Sequence, residues 1–437
     1  MERRDHHGLA YSGASAAALD SYLQALAGFY CYIGDPVALL DEAIADSPQF
    51  TMAHTLKAWL CLIGSNAPTM AAGRQAWEQA TLLPMNDRER GHLRAIEHML
   101  DNEIHAAGRV MEDVSVAFPR DALALQVGQI IDFLIGDARM LRDRIGRAMP
   151  AWSRDVPDYH AILGLAAFGL EESGQYGRAE AAGLEALELE PRNTWATHAV
   201  AHVMEMENRR RDGVAFMRRT QADWSTDSFF AVHNWWHLGL FYLGLGEVDE
   251  VLKLYDGPIY GEPSAMQFDM VDASAMLWRL HLRGVDVGGR WKAIADSWEA
   301  DMAQASGVYP FCDLHAMMAF VGADRDRAAL DVLTAQQRGL QGPGDGPMMI
   351  RDVGGPATLA IRAFGEGRYG DCVDLLRTVR NRAGRFGGSH AQRDLLDLTL
   401  IEAARRDGQG ALVEALEAER GYAKPEGAEV EVYGQAA

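Results

Sequence analysis

Long apolar runs and excess positive charge are both missing from this 437-residue sequence. No stretch of eighteen apolar residues occurs, so we place no transmembrane helix in it. Residues 1–7 are polar and lead into no long apolar stretch, which argues against a secretory signal. With 41 basic and 62 acidic residues, the net charge is −21. Binding phosphates requires basic surface, so we expect neither nucleic acid nor an anionic membrane as a partner.

Cysteine is scarce, and phosphate-loop motifs are absent. The four cysteines, Cys31, Cys61, Cys312 and Cys372, show no CxxC spacing, so they predict inert thiols in a reducing cytoplasm. The predicted location is therefore cytoplasmic. No GxxxxGK[ST] motif is present. The Gly- and Pro-rich residues 339–356 predict a long connecting loop.

What the sequence does contain is a repeated helical hairpin. The clearest unit, residues 158–191, has two stretches of helical apolar period separated by a turn at Gly174. If Gly174 is counted as position 15, Ala179 falls at 20, Ala186 at 27 and Pro191 at 32. Small residues let the two helices approach and proline ends the second, as in a tetratricopeptide unit.

Comparable turns recur every 30 to 44 residues. They fall at Gly34, Gly64, Asn102, Gly136, Gly174, Asn208, Gly246, Gly284, Ala323, Gly367 and Gly408. Glycine and asparagine suit helix ends because they tolerate the left-handed conformation. We therefore predict an all-α fold, a right-handed α-solenoid of tetratricopeptide-like helix-turn-helix repeats. The predicted limits are an N-terminal extension over residues 1–17, one solenoid over 18–420 and a tail over 421–437.

Polar residues fall on inner helix faces, where a packed core would need only apolar side chains. The first helix of each tetratricopeptide pair lines the concave surface. His198, His202 and Glu205 share one face of such a helix, and His233 and His237 share a face of the next first helix. Buried polar groups cost free energy unless they are paired, so this many histidines and carboxylates on inner faces indicate a site.

The predicted site therefore combines histidines, carboxylates and tryptophan. The residues predicted to be catalytic are His198, His202, His237 and Asp272. Those predicted to bind ligand are His160, Glu205, His233, Asn234, Trp236, Asp269, Asp313, His315, Asp352 and Arg393. A divalent metal is a candidate cofactor, with His198, His202, His233 and His237 as its ligands. A purely structural role is the alternative for these residues. Histidines four apart on a helix are commonly structural, and aspartates favour helix N-termini.

Several motifs resemble the tetratricopeptide repeat protein 38 family. They are WATHAVAHVMEM and AVHNWWH within residues 195–237, FDMVDASAMLWRL at 268–280, FCDLHAMMA at 311–319, IRDVGGP at 350–356 and GGSHAQRD at 387–394. The resemblance covers residues 18 to 410 and is strongest between 158 and 394. It implies an all-helical solenoid but no settled activity. His390 departs from the pattern, where the family leads us to expect asparagine.

Three functions remain open at this point. The groove could hold a peptide or partner protein, as tetratricopeptide scaffolds do. It could instead bind a small molecule and catalyse hydrolysis or C–C cleavage, using a metal or a histidine base oriented by Asp272 or Asp313, with Arg393 holding an anionic group. The polar residues could also form a purely structural network. We favour a ligand-binding groove of His, Asp and Trp character, leave catalysis open, and find a homo-oligomer compatible with the sequence.

Overall fold

The computed structural model describes residues 3–63, 67–305 and 309–423, and these are overwhelmingly helical. Packing divides the chain into two compact units. Unit 1 comprises Met1–Val200 and Thr220–Ala231, and unit 2 comprises Ala201–Arg219 and Val232–Ala437. Among the described helices, none combines the length and apolar character needed to cross a bilayer.

Unit 1 begins with a short β-hairpin and continues as consecutive helical hairpins. Its strands are β1 (Arg3–Arg4) and β2 (Ala10–Tyr11). Its helices are α1 (Ala16–Cys31), α2 (Pro36–Asp46), α3 (Thr51–Ile63), α4 (Ala67–Thr81), α5 (Asp87–Leu100), α6 (Ile104–Ala117), α7 (Ala122–Leu134), α8 (Ala138–Ala148), α9 (Tyr159–Glu171) and α10 (Tyr176–Leu189), with a 3-10 turn at Met149–Ala151. Helix α11 (Thr194–Met206) starts in unit 1 and ends in unit 2.

Unit 2 repeats the same helical organisation. Its helices are α12 (Arg210–Arg219), α14 (Ala231–Gly244), α15 (Val248–Leu254), α16 (Gln267–Leu282), α17 (Arg290–Ala305), α18 (Pro310–Gly322), α19 (Asp326–Gly339), α20 (Gly346–Met349), α21 (Gly355–Gly365), α22 (Tyr369–Val379), α23 (His390–Arg406) and α24 (Gly410–Tyr422). The short α13 (Gln221–Trp224) belongs to unit 1. Five-residue π-helical segments follow two of these helices, Tyr255–Ile259 after α15 and Ile350–Gly354 after α20. A seven-residue 3-10 helix, Arg380–Phe386, follows α22.

Consecutive helices form the closest pairs, including α1 with α2, α9 with α10, and α21 with α22. In the α9–α10 pair, the predicted small residues Ala179 and Ala186 are fully buried. A side chain at Gly183 would meet Val200 at 2.6 Å, which shows how closely α10 and α11 approach. The all-α prediction is therefore confirmed, and each unit is a series of helical hairpins.

Left-handed backbone marks the ends of the first helices, as predicted. Nine of the predicted turn residues have positive φ: Gly34, Asn102, Gly136, Gly174, Asn208, Gly246, Gly284, Gly367 and Gly408. The predicted turn at Ala323 is present, but Ala323 itself has a φ of −99° and the next residue, Asp324, takes the left-handed conformation. Aspartate tolerates this conformation better than alanine because its short polar side chain can bond locally. The predicted turn at Gly64 lies outside the described residues.

The Gly- and Pro-rich stretch is largely helical, so the prediction of a long loop over residues 339–356 is wrong. Only residues 340–345 connect α19 to α20, and α20 leads through one π-helical turn into α21. Pro347 and Pro356 occupy first-turn positions, where the missing N–H costs no hydrogen bond. A side chain at Gly354 would lie 2.3 Å from Pro310, so this glycine permits close helix packing.

The N-terminal residues are packed against the helices of unit 1. Arg3 pairs with Tyr11 and Arg4 with Ala10 in the hairpin, and α1 starts at Ala16. The Arg88 guanidinium donates a 3.0 Å hydrogen bond to the Ala10 carbonyl. The predicted limits of extension, solenoid and tail stay predictions, and residues 424–437 of that tail lie outside the described part.

Candidate functional site

Three histidines and an aspartate of unit 2 converge in its interior. His202 is on α11, His233 and His237 are on α14, and Asp272 is on α16. All four side chains are buried. The ring centroids of His202 and His237 lie 4.5 Å apart, and those of His233 and His237 lie 4.8 Å apart. We call these four residues the histidine cluster.

A hydrogen bond with Asp272 orients the His233 ring. His233 Nδ1 lies 2.8 Å from Asp272 Oδ2. When the carboxylate is ionised, Nδ1 donates this bond, so Nε2 carries the lone pair that can accept a proton or bind a metal. Burial raises the pKa of Asp272, and the neighbouring His233 acts in the opposite direction. Asp272 Oδ1 has no hydrogen-bond partner within the described part of the chain.

His237 is held in its neutral form. Burial lowers its pKa well below the usual value, and His202, His233 and Arg279 act in the same direction. Trp236 stacks on His233 at 5.3 Å with an interplanar angle of 13°. A neutral, buried imidazole is the form that accepts protons and ligates metals.

Asp269 and His315 extend the polar set along α16 and α18. Burial raises the pKa of Asp269 to about 6, although Ser264 Oγ donates a 2.7 Å hydrogen bond that opposes the rise. Burial lowers the pKa of His315 to about 4. His315 Nδ1 donates to the Phe311 carbonyl at 2.8 Å, which leaves Nε2 as the acceptor.

Arg279 is a buried charged residue near the histidine cluster that the sequence analysis did not include among the candidate site residues. Its guanidinium lies 5.3 Å from the centroid of the Trp236 ring and donates a 2.7 Å hydrogen bond to the Ala391 carbonyl. Its charge also lowers the pKa of both His237 and His315. A signal was available, because Arg279 follows Asp272 by seven residues and therefore shares its face of α16.

Arg279 also lines a cavity of about 350 Å³ in unit 2. Glu205 and Leu240 reach this cavity from positions one turn beyond His202 and His237 on their helices. The cavity is dominated by arginines, with three carboxylates among them. Its charged lining residues are Arg210, Arg279, Arg283, Arg380, Arg393, Arg420, Glu205, Asp394 and Asp397. Two predicted site residues, Glu205 and Arg393, therefore line the cavity.

The remaining predicted residues have other described contacts. His160 Nδ1 accepts a 3.2 Å hydrogen bond from Asn193 in unit 1, and burial lowers the pKa of His160. Asp313 accepts a bond from Gln336 at 3.1 Å, and Asp352 accepts one from Arg385 at 2.7 Å. His198, in the unit 1 part of α11, contacts Trp195 and Phe230, and Asn234 is buried on α14.

The histidine cluster has the donor set of a transition-metal site. The ring nitrogens of His202, His233 and His237 lie within 4.8 Å of one another. Imidazole nitrogen suits zinc, iron, copper and nickel, and a carboxylate behind a ligating histidine is a common second partner. These residues therefore fit a divalent ion.

Comparisons with known proteins do not establish a family for this chain. No family model matches the sequence. Among solved structures, the chain is similar to the tetratricopeptide repeat domain of P58(IPK), with 13% identity and a TM-score of 0.22 over 90% of this chain and 98% of that one. A TM-score this low does not establish a common overall arrangement, so the fold assignment rests on the helices described above.

Proposed function

We propose that unit 2 binds a small organic anion in its arginine-lined cavity, beside a histidine and carboxylate cluster suited to hydrolytic chemistry. The observation that carries this proposal is the position of Arg279. Its guanidinium lines the cavity and also lies against Trp236 of the helix that bears His233 and His237. One residue therefore links a binding cavity to a set of groups that can move protons.

The charge and size of the cavity favour a small anionic ligand. Arginine presents planar donors that match carboxylate, sulfonate and phosphate groups. Six arginines against three carboxylates leave the charged lining with a net positive balance, although the whole chain carries −21. A volume of about 350 Å³ lies at the small end of the range for small-molecule pockets. An extended peptide of several residues does not fit such a volume.

The His233–Asp272 pair supports a role in acid–base chemistry. The carboxylate fixes the ring through Nδ1 and stabilises the imidazolium that forms when Nε2 accepts a proton from water. His237, neutral and buried, stands beside it as a second acceptor. Water activated in this way would attack an electrophilic carbon of the bound anion, which is the step that hydrolysis of an acyl or C–C bond requires.

A metal-dependent form of the same chemistry is a second candidate. It is favoured by the three ring nitrogens that lie within 4.8 Å of one another in unit 2. A bound divalent ion would supply an activated water, while His202, His233 and His237 would hold it and Asp272 would orient His233. His198, the fourth predicted ligand, precedes His202 by one helical turn on α11.

We also propose that the chain is a member of the tetratricopeptide repeat protein 38 family. Asp269, Asp272 and Arg279 all lie within the resembling motif at residues 268–280, and His233 and His237 lie within AVHNWWH. The motifs that carry the resemblance thus include the residues of the proposed site.

The binding proposal is tested by measuring thermal stabilisation and calorimetric binding with phosphate, sulfate, citrate and benzoate. We expect at least one of these anions to bind the wild-type protein and to lose affinity in Arg279→Gln and Arg393→Gln. Arg327→Gln is the matched control, because Arg327 is an exposed residue of α19. Equal affinity in all four proteins, or binding only to an extended peptide, would overturn the proposal.

Metal content separates the two chemical versions. Elemental analysis of the untagged protein is compared with His202→Ala, His237→Ala and the control His54→Ala, since His54 contacts the Pro48 carbonyl in unit 1. One equivalent lost in the first two variants alone supports the metal version. Equal metal content in all four proteins, together with anion binding, supports the metal-free histidine base.

A further inference from the structure

A second group of ligand-type side chains lies in unit 1. His6 and His7 come from the turn of the N-terminal hairpin, and Asp158 stands at the start of α9. The His6 Nε2, His7 Nε2 and Asp158 Oδ2 atoms form a triangle with all three sides 3.0 Å. The proposed function makes no use of these residues.

Hydrogen bonds between neutral groups leave one side of this triangle without a favourable contact. Each imidazole nitrogen carries either one hydrogen or one lone pair. If both nitrogens donate to the carboxylate oxygen, two N–H groups face each other across 3.0 Å. If one nitrogen instead accepts from the other, its lone pair faces the carboxylate oxygen at the same distance. Every assignment of neutral rings leaves one repulsive side.

A cation above the triangle satisfies all three atoms at once. A divalent ion bound at about 2.1 Å from each atom would subtend angles of about 90° between ligands, because the ligand atoms are 3.0 Å apart. Three ligands at such angles occupy one face of a coordination sphere and leave the other positions open. Two histidines and one carboxylate in this arrangement are an established donor set for transition metals.

The Asp158 side chain does not serve its own helix. Asp158 occupies the N-cap position of α9, where an aspartate usually accepts a hydrogen bond from the helix, yet its side chain makes no cap bond. Its φ of 61° also lies in the left-handed region, which a non-glycine residue adopts at some cost. The carboxylate instead contacts His6 and His7.

The turn that carries the histidines is held rigidly. Asp5 Oδ1 accepts hydrogen bonds from the backbone N–H groups of His7 and Leu9, both at 2.9 Å, and Asp5 Oδ2 accepts one from the Tyr11 hydroxyl at 2.9 Å. Trp152 packs against the His7 ring at 5.1 Å. Ligands that are oriented before the ion arrives lose less entropy on binding it.

We propose that His6, His7 and Asp158 form a divalent transition-metal site that joins the N-terminal hairpin to the start of α9. The side chains of His7 and Asp158 are 5% and 21% exposed, whereas His6 is 40% exposed, so the open side of the site meets solvent. Two imidazoles and one carboxylate favour zinc, iron, nickel or cobalt over calcium and magnesium, which prefer oxygen ligands alone. Solvent completes the coordination sphere.

The test uses untagged, chelator-treated protein titrated with Zn²⁺ by calorimetry and with Co²⁺ by visible absorption at pH 7.5. We expect wild-type protein to bind one equivalent more than His6→Ala and Asp158→Asn. We also expect Zn²⁺ to raise the melting temperature of wild-type protein more than that of His6→Ala. Because His6 is partly exposed, its replacement leaves the fold intact and keeps the comparison valid. Asp5→Ala should weaken binding by about 10- to 100-fold, as for other groups that orient ligands.

His54→Ala and His237→Ala serve as controls and should keep this equivalent. The first removes a histidine of unit 1 that contacts a backbone carbonyl, and the second removes one from the histidine cluster of unit 2. Equal stoichiometry and affinity in wild type, His6→Ala and Asp158→Asn would overturn the site. The three residues would then form only an ion pair between protonated histidine and aspartate.

Discussion

Replacing Asp269 by asparagine should make the protein less sensitive to pH. Burial raises the pKa of this carboxyl from 3.8 to about 6. The folded protein therefore holds the proton more tightly than the unfolded chain. The contribution of the Asp269 carboxyl to stability is fully present below pH 3.8 and is lost as pH rises through about 6. The full loss is about 3 kcal/mol, since each tenfold change in the acid constant is worth about 1.4 kcal/mol.

About half of that loss, roughly 1.4 kcal/mol, falls between pH 5.0 and pH 7.5 by the same linkage. The amide of Asp269→Asn stays neutral at every pH and still accepts a hydrogen bond from Ser264. The free energy of unfolding of the variant, measured relative to that of the wild type, should therefore increase by about 1.4 kcal/mol as pH rises over this interval. Urea unfolding at both pH values, followed by tryptophan fluorescence, measures the difference.

Asp249→Asn is the matched control, because Asp249 is an exposed aspartate in the first turn of α15 of unit 2. Its stability relative to wild type should change little between the two pH values. If the advantage of Asp269→Asn is the same at pH 5.0 and 7.5, the carboxyl is not held protonated by burial, and the reasoning about this part of the site is wrong.

Two further predictions concern packing within single units. Gly169→Ala should destabilise unit 1 by about 1–3 kcal/mol, because the new side chain would lie 2.3 Å from the backbone oxygen of Leu141, whereas Gly177→Ala meets open space and should stabilise by up to about 1 kcal/mol. Urea unfolding of both variants checks the sign, and a stable Gly169→Ala would contradict the close approach. Trp278→Phe should cost unit 2 about 1–3 kcal/mol, because it removes the buried 3.0 Å hydrogen bond to Thr399, and an unchanged unfolding midpoint would show that this bond contributes nothing.

The fold was largely predictable because its signals are local. Helical periodicity and left-handed glycines act within a few residues, so Gly174, Gly246 and Gly367 identify helix ends without tertiary information. The wrong prediction of a loop over residues 339–356 arose because proline is common both in loops and in the first turn of helices. Pro347 and Pro356 signal a loop by composition, yet both stand in the first turns of helices.

The site was predictable only along each helix. Spacing indicates that His233 and His237 share a face, because that follows from the helical period. It does not indicate that Asp272 lies opposite His233, or that Arg279 contacts the carbonyl of Ala391, 112 residues further along the chain. Such pairings depend on how separate helices pack. The N-terminal histidines escaped prediction for the same reason, since no periodicity links a hairpin to α9.

The docked hairpin has a practical consequence for shortened versions of the protein. Tyr11 packs edge-on against Tyr22 and Phe50, and the Arg88 side chain, itself buried, reaches the Ala10 carbonyl. Deleting the first eleven residues would remove the Tyr11 ring from its contacts with Tyr22 and Phe50. It would also expose the buried Arg88 guanidinium to solvent. An N-terminal polyhistidine tag would crowd the same region with competing imidazoles. Purification handles are therefore better attached at the opposite end of the polypeptide.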